Sequence, residues 1–224
     1  MNLGIVTSYI IAGVIILGIV SMNLRVQNSG AELTISQMNR QYVSDITDML
    51  NDDLSNMGYN VNDVTRDQNG DRRVLVCAHQ NRIRFYRNLC ETDVECSNED
   101  RLPEKIEWHF LLEDEISATN PDHRTLRRTV TTFDPDGTEA GIEETDINVG
   151  VTQFNIQYYE TVGSTNNVTG LGCGANVPTV KQFRVVLEVQ SAEKIFHRAA
   201  GEGRYVRSVW DKRFTPTNLQ LQDN

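Results

Sequence analysis

The stretch MNLGIVTSYIIAGVIILGIVSMNLRVQNSGAELTISQMNRQYVSDITDMLNDDLSNMG, residues 1–58, decides how the rest of the chain is read. No charged side chain occurs before Arg25, and Leu3 to Leu24 is an almost unbroken apolar run. About 20 helical residues cross ~30 Å of hydrocarbon, so this run is long enough to span a bilayer. A cleaved secretory signal would open on basic residues, carry a shorter apolar core and end in a small-residue cleavage site. Met1 to Gly4 holds no Lys or Arg, and the run is therefore read as a retained membrane helix. Gly4, Gly13 and Gly18 lie along it. Small residues let a neighbouring helix approach closely, although glycine is also common in membrane helices without that role.

A second helical period follows. Ile35, Met38, Tyr42, Val43, Ile46, Met49, Leu50, Leu54 and Met57 recur at steps of three and four, with Arg40, Asp45, Asp48, Asp52 and Asp53 falling between them. The period predicts one apolar stripe with a polar back. Gly58 is placed to stop the helix. Gly30 is expected to loosen the junction between the halves, because Gly inside a helix costs about 1 kcal/mol relative to Ala. The chain divides into a membrane-spanning or filament-core helix (1–27), an amphipathic helix that packs on the head (28–58) and a β-rich globular head (59–224).

Beyond the helix, enough chain remains for one domain with its own core. Hydrophobic residues make up 39% of the 224, so the head is globular material rather than disordered chain. The formal net charge is -10, and no basic face is evident to neutralise phosphates, which argues against a nucleic-acid partner. Acidity of this order keeps an exposed domain soluble.

The cysteines, Cys77, Cys90, Cys96 and Cys173, all lie in the head. An even number beyond a membrane segment suggests disulfides in an oxidising compartment. Cys90 and Cys96 flank a short acidic loop and would close it, leaving Cys77 to pair with Cys173. A four-cysteine metal site is the second reading, but the paired C-x2-C knuckles are missing; free buried thiols are the third. Positive charge favours the cytoplasmic side, yet Arg25 lies on the head side of the apolar run. The cysteines outweigh that single charge and place the head outside the cytoplasm.

Strand signals fill the head. Arg73–Cys77 and Arg82–Arg87 are short runs, with Ile83 and Phe85 alternating with arginines. In Lys105–Leu112, Ile106, Trp108, Phe110 and Leu112 share one face while Lys105, Glu107 and His109 share the other, the mark of a half-buried antiparallel strand. Leu126–Phe133 ends at the turn Asp134-Pro135-Asp136-Gly137. Asn148–Glu160, Val180–Val189 and Arg204–Phe214 complete the set, with a Gly/Ser/Thr/Asn loop from Val162 to Asn176. One long helix followed by antiparallel strands predicts an α+β fold.

Chemistry-bearing patterns are sparse. His79, His109, His123 and His197 show no paired ligand spacing, and His109 reads as a solvated surface residue. Without GxSxG, Walker A or GxGxxG patterns, no enzymatic role is expected. Two acidic turns, one with Asp63, Asp67, Asn69 and Asp71 and one with Asp134, Asp136 and Glu139, each offer three or four oxygen ligands. Calcium takes six to eight, and Asp and Asn favour turns for local hydrogen bonding. Both are read chiefly as turns, with Asp134, Asp136 and Glu139 as the calcium candidates and no other cofactor expected. Asn167-Val168-Thr169 fits the N-glycosylation sequon, with Asn167 as the acceptor.

The order of these segments resembles the type IV pilin superfamily, most closely the W-type minor pilins and the J-type pseudopilins of type II secretion. Asp52-Asp53-Leu54-Ser55-Asn56-Met57-Gly58-Tyr59 is similar to that family's helix end, "Asp-Leu/Ile-x-x-Ala-Gly-Tyr". Asn81–Arg87 resembles its "x-I-x-F" strand, and Lys105–Arg127 its "I-x-Y-x-L … L-x-R" hairpin. Asn148–Tyr159 followed by Pro178–Val189 resembles its "V-x-x-F-x-x-x-Y … P-x-x-V-x-x-x-L" pair. The resemblance implies a long helix on an antiparallel β head. It also implies a structural role in a pilus-like filament, with self-association or other pilin-like subunits as partners. With Met1 as the mature start rather than an initiator, the chain departs from the family at the fifth position, where Ile5 stands in place of the usual Glu, and the residues ahead of the apolar run do not read as a basic leader. In the family that Glu meets the N-terminal amine of a neighbour, and tip-located subunits can lack it.

The expected function is that of a subunit held in the membrane by one helix, then assembled through it into a surface or periplasmic filament, with Ile5, Val14 and Ile19 on the assembly helix. The alternative is a single-pass membrane-anchored binding or sensor module. Such a stalk would favour steadier heptads than residues 31–57 show.

Overall fold

Helix α1, Leu3–Ser55, runs unbroken for 53 residues in the computed structural model. The structure describes residues 3–59, 74–88, 103–113, 119–134, 137–174, 177, 179–195 and 203–219. At 1.5 Å per residue the helix is about 80 Å long. Gly30 does not interrupt it; the Thr34 hydroxyl donates to the Gly30 carbonyl at 3.0 Å within the helical ladder. The helix ends where the sequence places its stop. Gly58 adopts φ +72, and a Cβ there would come within 2.8 Å of the Val74 and Asn218 side chains. Its N–H donates to the Tyr86 carbonyl at 2.9 Å, tying the helix end to the head.

Among the described residues, nine strands form two antiparallel sheets. They are β1 Leu75–His79, β2 Arg82–Arg87, β3 Glu104–Leu111, β4 Thr125–Phe133, β5 Glu139–Ile147, β6 Val151–Tyr159, β7 Gly172–Cys173, β8 Gln182–Ile195 and β9 Arg204–Phe214. The larger sheet has the order β5-β4-β3-β2-β1-β7 and the smaller β6-β8-β9. The α+β class expected from the sequence is the one observed. Arg82–Arg87 and Arg204–Phe214 form strands over their expected spans.

Three differences have physical causes. No strand is expected between the Asp134 turn and Asn148, yet β5 occupies Glu139–Ile147. Its acidic sequence lies at a sheet edge with almost every side chain exposed, so it lacks the buried alternation that marks a strand. The loop expected from Val162 to Asn176 contains β7, which pairs Cys173 with Cys77 and Gly172 with Ala78. Finally, β8 continues past Val189 to Ile195 through a register shift opposite β9, a tertiary pairing with no local signal.

The helix and both sheets share one core. Ile46, Leu50 and Leu54 of α1, with Met57 in the turn that follows it, pack with Ile83, Phe85, Ile106 and Trp108 of the larger sheet and with Phe154, Ile156, Tyr158, Val185 and Leu187 of the smaller. Each such side chain contributes about 1.5–3 kcal/mol by leaving water. The sheets are joined by backbone hydrogen bonds from Ile156 N–H to the Gln80 carbonyl at 2.7 Å and from Arg124 N–H to the Val151 carbonyl at 2.9 Å. The Tyr158 hydroxyl adds a bond to the His79 carbonyl at 3.1 Å.

The stripe that α1 buries is shifted from the expected one. Met38 is 48% exposed, whereas Asn39 and Asp53 are buried at 4% and 1%. Residues 39, 43, 46, 50, 53 and 57 advance by three and four, so both polar residues sit on the buried face. Asp53 therefore does not belong to the polar back.

Gly150, in the turn from β5 to β6, has φ +77, and a Cβ there would lie 2.3 Å from the Gln190 carbonyl oxygen. Gly163 has φ +81 with nothing within 4 Å of its Cβ position. Gly163→Ala should cost only the left-handed backbone term, about 1–2 kcal/mol. Gly150→Ala should cost clearly more, because two backbone segments must separate. Urea denaturation of the full chain in detergent, with both variants side by side, measures the difference; equal losses would refute the close approach.

Candidate functional site

The N-terminal half of α1 is apolar on every side and stands clear of the head. None of its membrane-length window is buried. Ile5, Val14 and Ile19 are 54%, 64% and 63% exposed, in keeping with the whole run from Ile5 to Val26. This N-terminal helix is long and apolar enough to cross a membrane. Contact with the head begins at Glu32, whose carboxylate meets Arg204 at 3.1 Å. Asn39 Nδ2 then donates to the Val206 carbonyl at 3.0 Å, and Lys212 Nζ to Asn51 Oδ1 at 2.7 Å. Each partner lies on β9, so that strand forms a polar rail along the helix.

The helix is locked at its C-terminal end by a buried charge cluster. Asp53 accepts from Trp108 Nε1 at 2.8 Å and from Arg128 through Nε at 2.7 Å and Nη2 at 2.9 Å. Arg87 Nη1 lies 2.7 Å from Asp53 Oδ1, the oxygen that also accepts from Arg128 Nη2, and reaches Asp52 at 3.1 Å. Trp108 and Arg128 are cross-strand partners on the inner face of the larger sheet. The hydrogen bond from Arg128 to Asp53 raises the Arg128 pKa above its ordinary value. The arrangement fixes the helix rotation relative to the sheet, and with it the direction in which the free half projects.

On the outer face of the larger sheet, Glu107 bridges Arg82 and Arg84. Arg127 grips Asp146 at 2.6 and 2.9 Å and Glu144 at 3.3 Å. His109 is half-buried in this row between Arg82 and Arg127, not simply solvated. Burial pushes its imidazole below the ordinary value, and the Arg82 guanidinium adds to the effect. His123 is buried against the Gln190 carbonyl at 3.1 Å, and burial likewise lowers its pKa. For Glu107, burial disfavours the charged form, but hydrogen bonds and charge from Arg82 and Arg84 outweigh it and hold the carboxyl below its usual range.

Of the calcium candidates, Asp134 heads the β4–β5 hairpin, its N–H donating to the Thr138 carbonyl at 2.8 Å. Glu139 is tied to Lys105 at 2.7 Å. Asp136 lies outside the described residues, as do Cys90, Cys96 and the turn from Asp63 to Asp71. Asn167 is exposed in the loop after β6. Cys77 and Cys173 form the expected disulfide across a sequence separation of 96. Sequence reasoning did not group His79 with them, although the two cysteine sulfurs and a ring nitrogen all lie within 4.8 Å of one another. The available signal was Cys77-x-His79 on a strand, which puts both side chains on one face. The chain matches no protein-family model and no curated protein.

Asp53→Ala would leave the buried Arg87 and the half-buried Arg128 guanidiniums without their shared carboxylate and should destabilise the chain by about 3 kcal/mol. Asp53→Leu combined with Arg87→Met and Arg128→Met should recover part of that loss, since no charge is then left unpaired and only the buried Trp108 Nε1–H lacks its acceptor. Chemical denaturation of the three chains provides the comparison.

His109 and His123 bind protons less readily folded than unfolded. Stability is therefore fully present above the unfolded value of about 6.5 and declines as pH falls below it. Glu107, whose folded pKa is depressed, adds a second decline as pH falls below about 4.3. Urea midpoints measured from pH 8 to about pH 2 should show both steps, and His109→Gln with His123→Gln should flatten the upper one.

Proposed function

We propose that this chain is a structural subunit anchored by α1 and assembled through the apolar half of that helix into a pilus-like filament, with the head facing outward. The observation that carries the reading is the division of α1. Its C-terminal half spends its apolar stripe on the head, while its N-terminal half exposes apolar side chains on all sides. Such a surface requires lipid or a bundle of equal helices. A filament core supplies the second and a membrane the first, so the same helix serves before and after assembly. The order of motifs that resembles pilins supports the reading, and the Cys77–Cys173 disulfide supports a head in an oxidising compartment. Packing among the apolar helices would drive assembly on this reading.

The second reading is a single-pass anchored binding module. It draws on an open cleft of about 300 Å³ where the helix crosses the head, lined by Asn39, Tyr42, His123, Asn148 and Gln190.

Ile5→Ala with Val14→Ala and Ile19→Ala keeps a helix apolar enough to insert but removes the bulk that packs between helices. On the filament reading, this variant stays in the membrane fraction and no longer yields filaments that pellet and appear in electron micrographs. Val14→Asp, at a cost of about 2.5–3.5 kcal/mol in mid-bilayer, should lose membrane retention as well. Native membranes in which the unsubstituted chain forms no higher assembly would count against the filament.

A further inference from the structure

We propose that Cys77, His79 and Cys173 form a thiol-gated site for a borderline-soft divalent cation of the zinc type. The site is closed while the disulfide stands and open to metal once it is reduced. This inference does not depend on the filament reading. Cys77 and His79 are two residues apart on β1 and share a face, and β7 brings Cys173 opposite Cys77. The sulfurs and a ring nitrogen lie within 4.8 Å of one another. A tetrahedral zinc with ligands at 2.0–2.3 Å holds its donors about 3.3–3.8 Å apart, so only small shifts are needed once the sulfur–sulfur bond is gone. Two thiolates and one neutral imidazole favour zinc over hard cations and leave a fourth position for water.

The surroundings suit that chemistry. Among the described residues no hydrogen bond engages the His79 ring, while its backbone carbonyl is held by the Tyr158 hydroxyl at 3.1 Å. The strand end is thus fixed and the ring remains available. Arg84 and Arg82 are the cross-strand partners of Cys77 and His79. These two guanidiniums share the single carboxylate of Glu107, leaving net positive charge beside the sulfurs, which favours thiolate over thiol. Access is one-sided. Cys77 is fully buried, whereas Cys173 is half-buried between Gly172 and Gly174, and the Cβ position of Gly174 faces open space.

Reduction by a low-molecular-weight thiol therefore starts at Cys173. The attacking thiolate bonds to Cys173 Sγ, the protein sulfur–sulfur bond breaks, and Cys77 Sγ leaves as thiolate. A second small thiolate attacks the small-molecule sulfur of that mixed disulfide, releasing Cys173 thiolate and the small-molecule disulfide. Two electrons pass from the small thiols to the protein. Their two protons go to solvent or to the cysteines, and the metal displaces any that remain on sulfur.

The test uses the full chain in detergent, with Cys90→Ser and Cys96→Ser to remove the other thiols, reduced by a phosphine that is then removed. Anaerobic titration with Co2+ should show one ion per chain with thiolate-to-cobalt absorption, displaced by Zn2+. Zn2+ should raise the thermal midpoint of the reduced chain and leave the oxidised chain unmoved. His79→Ala should weaken Zn2+ binding at least about tenfold, since losing a ligand costs no less than losing an outer partner; His109→Ala, on the same sheet face, should not. If the serine background fails to fold, the reduced wild-type chain with and without His79→Ala carries the same comparison. Absence of stoichiometric binding by the reduced chain, or equal binding with and without His79, would overturn the proposal.

Discussion

The Asp53 carboxylate is the constraint on which the head depends. A charge that is 1% exposed costs several kcal/mol in lost solvation unless it is paired and fully hydrogen-bonded. Here the compensation comes from Trp108 and Arg128, at sequence separations of 55 and 75, and from Arg87. These donors sit on β3, β4 and β2. The helix end docks in this geometry only with three adjacent strands in register, and the strands gain their inner charge partner only when the helix docks. Sliding α1 by one residue would turn Asp53 by about 100° and strand both guanidiniums. Apolar stripes tolerate such slips; a buried ion cluster does not.

How much of this was legible follows from where each signal resides. The helix, its stop at Gly58 and strands such as β2 and β9 carry local periodicity and can be read directly. β5 cannot, because an edge strand with acidic side chains facing water has no buried face to alternate against. The same periodicity that reveals α1 also places Asn39 and Asp53 on its inner face. Residue type masked that placement, since an aspartate is assigned to solvent unless its partner is known, and Arg128 lies far along the chain. The Cys77–Cys173 pairing followed from the spacing of the other two cysteines. The position of His79 beside it needed the two-residue strand β7, which no local pattern marks.

Beyond its apolar core, the head is tied together by non-local links of two kinds. The disulfide closes a separation of 96 residues and removes about 4–5 kcal/mol of denatured-state entropy on the chain-entropy model. The Asp53 cluster adds little net energy, because Coulombic gain and desolvation nearly cancel, but it selects one arrangement. The disulfide holds the edge of the larger sheet remote from β4 and β5, while the ion cluster holds the helix to β2, β3 and β4. Loosening one leaves the other's geometry specified.

This division bears on how the head meets whatever surrounds the free helix. Its polar contacts with α1 begin at Glu32, whereas the apolar run ends at Leu24. The apolar run is about 33 Å long, close to the ~30 Å of bilayer hydrocarbon. The polar segment from 25 to 31 adds about 10 Å of helix, comparable to or thicker than one headgroup layer. With the apolar run in lipid, the head clears the membrane surface without tilting or unwinding α1. The rotation fixed by Asp53 sets how the head is turned about the axis of α1. Among the described residues none of the buried core contacts of the head involves the apolar run, so the packing of the head does not depend on what surrounds that run.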